Sequence, residues 1–203
     1  MKLKRKMLVK DAIILAIAII ILLIDYFFPV NSYFAWNIKE LVLLFIIPVT
    51  LIYFSKYKLS SFGLNFSNFK RSVIYAVVIV IITLPILVYI SGNPSVQDYY
   101  PVWENQSNFL VGEVLTLFVF FGLEFFFRGF LLNLTLKHIN WKYAIILTTI
   151  PYVLIHIGKP FPELVLSFFA GIIFSYAAYK TKSIMPSLMS HYTIAVILDI
   201  LTM

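Results

Sequence analysis

The sequence predicts an all-α membrane protein: a polytopic bundle of about seven transmembrane helices with a cytoplasmic interfacial segment. Three observations predict it. Of 203 residues, 62% are hydrophobic, too many for the surface of a soluble domain of this size. The mean hydropathy of +0.95 reflects long apolar runs, not one large core. Basic residues cluster at the ends of alternate runs, as in membrane proteins of fixed topology. The formal net charge of +7 therefore speaks to topology, and no nucleic-acid partner is expected. With no cysteine, the chain has no disulfide, no iron–sulfur ligand set, no thiol nucleophile and no prenylation site.

Seven segments are long enough to span: about 11–29, 38–55, 71–91, 109–136, 141–157, 162–179 and 184–203. The first follows the basic stretch MKLKRK and lacks an A-x-A-like cleavage site, so it reads as a retained helix ending at Asp25-Tyr26-Phe27-Phe28-Pro29. KYKLSSFGLNFSNFKRS, after the second segment, mixes basic residues with scattered Leu and Phe and suits the cytoplasmic interface. NPSVQDYYPVWENQSN, after the third, has two acids and no Lys or Arg. Lys2, Lys4, Arg5, Lys6 and Lys10 precede the first helix; Lys56, Lys58, Lys70 and Arg71, then Lys137 and Lys142, then Lys180 and Lys182 mark three further inner ends. Alternate loops carry only Lys39 and Lys159. A multi-pass protein of the cell membrane, with a cytoplasmic N-terminus and the C-terminus outside, is expected. The chain reads as one membrane domain, 1–203, with a three-helix part at 1–91 and a four-helix core at 109–203.

Charged groups inside the apolar runs point to chemistry. Glu124 and Arg128 lie in FFGLEFFFRGFLL, four residues apart and so on one helix face. A charge near a bilayer centre costs roughly 2.5–3.5 kcal/mol on insertion scales, and such residues serve a purpose. At about 1.5 Å per residue, Glu124 lies roughly 20 Å from the inner end at Lys137, and His156 about 21 Å from Lys142. Glu163 and Asp199 lie about 24 Å from their inner ends and His191 about 12 Å, neglecting tilt and a Pro186 kink. Four helices thus bring polar groups to similar depth, as a wet cavity within the bilayer requires. In HIGKPFPE, Gly158 and Pro160 end one helix and Pro162 starts the next, which holds His156, Lys159 and Glu163 together. Glu163 also complements a helix N-terminus, a role that needs no chemistry. Asp199 lies near the C-terminus, where solvation alone would account for it.

A carboxylate beside imidazoles can activate water or hold zinc. No HExxH and no G-x-S-x-G is present, so water activation is favoured and no cofactor is expected; zinc is the disfavoured option. The expected catalytic set is Glu124, His156 and His191, supported by Arg128, Lys159, Glu163 and Asp199. A transporter using Glu124, His156 and Asp199 as a proton relay ranks last, because no repeated halves are visible.

Three blocks carry a family resemblance: Leu123-Glu124-Phe125-Phe126-Phe127-Arg128-Gly129, Tyr152-Val153-Leu154-Ile155-His156 and His191-Tyr192-Thr193-Ile194-Ala195. In order and spacing they resemble the E-E-x-x-x-R-G, F-x-x-x-H and H-x-x-x-N blocks of the CAAX-protease and bacteriocin-processing (CPBP or Abi) membrane family, over about residues 110–200. The resemblance implies a glutamic-type intramembrane endopeptidase acting on a membrane-associated peptide or protein. Glu124 and His156 would activate water and His191 would stabilise the oxyanion. Two positions depart: Leu123 replaces the first Glu and Ala195 the Asn. Glu163 and Asp199 are the residues that could compensate. The departures also admit an inactive member: a scaffold, a regulator of an envelope enzyme or a bacteriocin-immunity protein, with a membrane-protein partner.

Overall fold

The computed structural model describes residues 2–30, 32–100 and 106–203. The side chains of residues 2–7 and 106–108, and so the N-terminal cluster of Lys2, Lys4, Arg5 and Lys6, lie outside that description, as do positions 101–105 of the acidic loop. The described chain is helical, with no strand. Its elements are α1 (Lys2–Phe27), α2 (Tyr33–Leu41), α3 (Ile47–Phe54), α4 (Phe69–Ser91), α5 (Pro94–Tyr99), α6 (Gln106–Glu124), α7 (Leu132–Leu136), α8 (Trp141–Leu154), α9 (Phe161–Thr181) and α10 (Met185–Thr202). Widened π-helical turns at Val42–Ile46 and Phe125–Leu131 join α2 to α3 and α6 to α7 without a break.

Among the described residues, five continuous helical stretches are long and apolar enough to cross a bilayer: Tyr33–Phe54, Phe69–Ser91, Phe109–Leu136, Phe161–Thr181 and Met185–Thr202. α1 and α8 fill the remaining two expected positions. α1 is 26 residues long but carries Lys10, Asp11 and Asp25. α8 has 14 residues and gives way to turns at Ile155, before the expected end at 157. Large apolar side chains such as Ile82, Tyr89 and Phe54 stand exposed around the bundle, as lipid-facing residues do. Pro186 produces no kink. It sits in the first turn of α10, where its missing N–H costs nothing.

α10 packs along α4, and α8 along α9. The pole bearing loops 55–68, 137–140 and 182–184, here the basic pole, is closed by an aromatic plug of Phe62, Phe125, Phe126, Phe127 and Phe130, all fully buried. Gly129 explains how the plug closes. A Cβ there would stand 2.6 Å from the Phe62 carbonyl oxygen, so only glycine lets the loop backbone lie against the helix. Gly63, at φ +84°, then accepts a 3.0 Å hydrogen bond from the Ile184 amide and ties the loop to the start of α10.

Candidate active site

The site grows out of the π turn after α6. A π turn leaves carbonyls out of α register, and such turns recur at functional sites. Here Asn133 repairs the register: its amide donates to the Arg128 and Gly129 carbonyls at 3.0 and 2.7 Å. All seven residues of the turn are buried. Glu124, immediately before it, has no exposure at all, and Arg128 has 1%.

The sequence pairs Glu124 with Arg128, and the structure does so too, Arg128 Nε lying 3.3 Å from Glu124 Oε2. It also brings His191 from α10, whose Nδ1 is 2.7 Å from Glu124 Oε1. The His191 ring lies against Phe120 at 4.3 Å and Phe174 at 5.4 Å. Tyr152 on α8 is the common floor. The Arg128 guanidinium sits 3.9 Å above its ring, with the His156 and His191 rings 4.6 and 6.2 Å away. His156 Nδ1 is 2.7 Å from the Tyr152 carbonyl oxygen. A carbonyl only accepts, so Nδ1 carries the proton and, in the neutral ring, Nε2 presents a lone pair.

Four atoms in this cluster have no hydrogen-bond partner in the described protein: Glu124 Oε2 and the Nε, Nη1 and Nη2 of Arg128. The 3.3 Å approach of Arg128 Nε to Glu124 Oε2 is an ion pair whose angle is too poor for a hydrogen bond. Leaving a buried polar group unmet costs about 1–3 kcal/mol, more when it is charged. Folded proteins meet such groups with water or with a ligand.

The remaining expected residues sit apart, toward the pole opposite the basic one. Glu163 accepts from Lys159 Nζ at 2.6 Å and from the Tyr100 hydroxyl, so loop 92–100 is fastened to α9. Burial raises the Tyr100 phenol above its ordinary value, and the Glu163 charge raises it further. Asp199 faces Glu113 of α6. Neither Glu163 nor Asp199 bonds to His156, His191 or Glu124 among the described residues. Leu123 and Ala195 are both half-buried apolar positions and supply no polar atom. Among the described residues no three of His, Asp and Glu converge as metal ligands.

Sequence reasoning missed two residues here. Tyr152 entered only as the aromatic opening of its block, although its ring and its carbonyl position both Arg128 and His156. Glu113 carries the same signal as Glu124, an acid in an apolar run, eleven residues earlier and so on the same helix face. A groove of about 480 Å³ between α4, α6 and α10, lined by Val80, Leu117, Leu188, Met189 and Tyr192 among others, is predominantly apolar, and none of Glu124, Arg128, His156 and His191 lines it.

Residues 105–197 match the family of type II CAAX prenyl endopeptidase Rce1-like proteins. The match covers all three blocks and bears out the resemblance to the CAAX-protease-like membrane family. No curated protein and no solved structure matches the chain.

Proposed function

We propose that the chain is an intramembrane endopeptidase of the glutamic type, hydrolysing a peptide bond in a membrane-associated peptide or protein. The observation that carries this reading is the set of unpartnered atoms on Glu124 and Arg128 beside two imidazoles. A purely structural ion pair would have no reason to keep free lone pairs and donors in a water-poor interior.

In this reading a water binds at Glu124 Oε2. Its oxygen attacks the peptide carbonyl carbon while its proton passes to Glu124. His156 Nε2 accepts the second water hydrogen and aims the attack. His191, protonated and held through Nδ1 by Glu124 Oε1, donates from Nε2 to the developing oxyanion. Collapse of the tetrahedral species breaks the C–N bond, and the proton on Glu124 moves to the leaving nitrogen. The products are a carboxylate and an amine. Arg128 and Tyr152 hold the carboxylate in place. Lys159 and Glu163 act one step removed, fastening the loop that follows His156. No metal is needed for these steps. We place the basic pole in the cytoplasm and the site in the cell membrane, following the distribution of Lys and Arg.

The test is cleavage of candidate membrane peptides by the purified protein in nanodiscs. Glu124→Gln should remove cleavage, and His156→Gln and His191→Gln should reduce it, with helical content and elution volume unchanged. Undiminished cleavage by folded Glu124→Gln ends the proposal. One observation favours a second reading: Leu123 and Ala195 offer no polar atom where the family blocks have Glu and Asn. An inactive scaffold, regulator or immunity protein would keep its cellular effect in Glu124→Gln at normal abundance; loss of that effect would exclude it.

A further inference from the structure

The acids among the described residues are not all alike. Asp11 is paired with His138, Asp25 and Glu40 share Lys39, Glu124 has Arg128, and Glu163 has Lys159. Asp98 is exposed. Glu113 and Asp199 alone, among the described residues, are buried acids with no basic side chain in ion-pair range.

They face one another instead, from α6 and α10. Glu113 is 5% exposed, and neither of its carboxylate oxygens has a hydrogen-bond partner. Asp199 is 8% exposed. Two carboxylates in contact within a helical bundle repel, and the low-dielectric surroundings strengthen the repulsion. Something positive must lie between them: a proton or a cation.

The surroundings offer the oxygen donors and the negative potential that a cation would need. Asp199 sits in the last turn of α10, where unmet carbonyls give the helix its negative end. Thr116 lies one turn from Glu113 on the same face, and its Oγ1 is 2.5 Å from the Tyr33 hydroxyl. Tyr33 is itself within electrostatic reach of both acids. Lys159 is within electrostatic reach of Asp199 but is itself paired with Glu163 at 2.6 Å. Hard oxygen donors of this kind suit sodium, calcium or an ammonium group.

We propose that Glu113 and Asp199, with the Tyr33 and Thr116 hydroxyls beside them, form a cation site, taken by a metal ion or by the ammonium of a basic side chain. Along the helices it stands about 16 Å from Glu124 and about 12 Å from His191, toward the pole opposite the plug. It is separate from the hydrolytic cluster and stands or falls independently of it.

The experiment uses the purified full chain in nanodiscs of neutral lipid, with choline chloride holding ionic strength constant. Sodium, calcium and n-butylammonium chlorides are titrated in separately while the thermal unfolding midpoint is followed. The site predicts a saturable upward shift with at least one of them, lost in both Glu113→Gln and Asp199→Asn. A shift with sodium or calcium assigns a metal ion, and a shift with butylammonium alone assigns a basic side chain. No saturable shift beyond choline overturns the proposal, as does an equal shift in both variants. A carboxylic-acid carbonyl band in the infrared spectrum of cation-loaded wild type, removed by Asp199→Asn, would show a shared proton and overturn it as well. Should the variants not fold, the wild-type titration decides by itself: a saturable shift beyond choline supports the site, and its absence overturns it.

Discussion

Two fully buried acids among the described residues, Asp11 and Glu124, each hold an imidazole, and they differ in what they leave unpaired. At the basic pole Asp11 of α1 is fully buried. It accepts from the Tyr57 hydroxyl at 2.5 Å through one oxygen and lies 2.9 Å from His138 Nε2 through the other. Lys10 and Lys137 lie 3.8 and 3.1 Å from the centre of the Tyr57 ring, and Lys10 also donates to the Ser55 carbonyl. In the bundle interior Glu124 is just as buried and holds His191 as closely, yet its second oxygen and the nitrogens of Arg128 are left over. The first pair is complete, and it joins α1 to two loops. The second keeps spare bonding capacity where a reactant could use it. Burial and an imidazole neighbour therefore do not single out a site by themselves; the proposed one is set apart by the donors and acceptors that Glu124 and Arg128 leave unpaired.

The sharpest way to break this comparison is to neutralise each acid in turn. Glu124→Gln should lower the cleavage rate by about 10²–10⁴-fold, the usual contribution of a general base. Asp11→Asn should leave the rate per folded molecule unchanged, and should lower stability by about 1–3 kcal/mol through the hydrogen bonds lost at a buried group. Chemical denaturation beside peptide-cleavage kinetics reads both quantities. A loss of rate in Asp11→Asn with folding intact would erase the distinction between the pairs.

Removing the cation comes next. Arg128→Met removes the permanent cation of a fully buried ion pair, and should destabilise the fold by about 3–5 kcal/mol. Gly129→Ala forces a Cβ against the Phe62 carbonyl and should cost about 1–3 kcal/mol by overpacking, without touching the polar cluster. Unfolding midpoints of the two variants in one lipid check this order.

The complete pair also has a pH signature. Burial raises the Tyr57 phenol above its ordinary value, and its bond to Asp11 and the charge of Asp11 raise it further. A phenol raised on folding contributes its full stability below the unfolded value. It loses that contribution as pH climbs toward the folded one. Stability should therefore fall above about pH 10, and less steeply in Tyr57→Phe. Denaturant midpoints across an alkaline series measure this, and parallel curves would remove Tyr57 from the account. The smallest effect is expected at Lys182, exposed and left-handed at φ +56° where α9 ends. Lys182→Gly should stabilise by on the order of 1 kcal/mol, since glycine occupies that conformation freely.

The sequence carried the helices well because bilayer thickness and backbone satisfaction leave few alternatives for long apolar runs. The fourth segment, expected at 109–136, is one continuous stretch from Gln106 to Leu136. Glu124, Arg128 and His191 were legible for a related reason: an ionised group in an apolar run needs a partner, and the partners are few. His138 was not. It sits in an interfacial loop with no local signal, and its meaning comes from Asp11, 127 residues away. The π turn was equally hidden, since Phe125–Leu131 reads as ordinary helix and only the double role of the Asn133 amide betrays the shift. Pro186 was misjudged because a proline within an apolar run signals a kink, whereas a helix beginning one residue before it absorbs the ring.

The most direct measurement follows solvent oxygen. Membranes containing the wild-type chain or Glu124→Gln at equal abundance are incubated in H₂¹⁸O, and new peptide C-termini are read by mass spectrometry. The account predicts a discrete set of membrane-peptide C-termini carrying ¹⁸O in the wild-type sample and missing from Glu124→Gln. The same labelled termini in both samples, or none specific to the wild type, would contradict it.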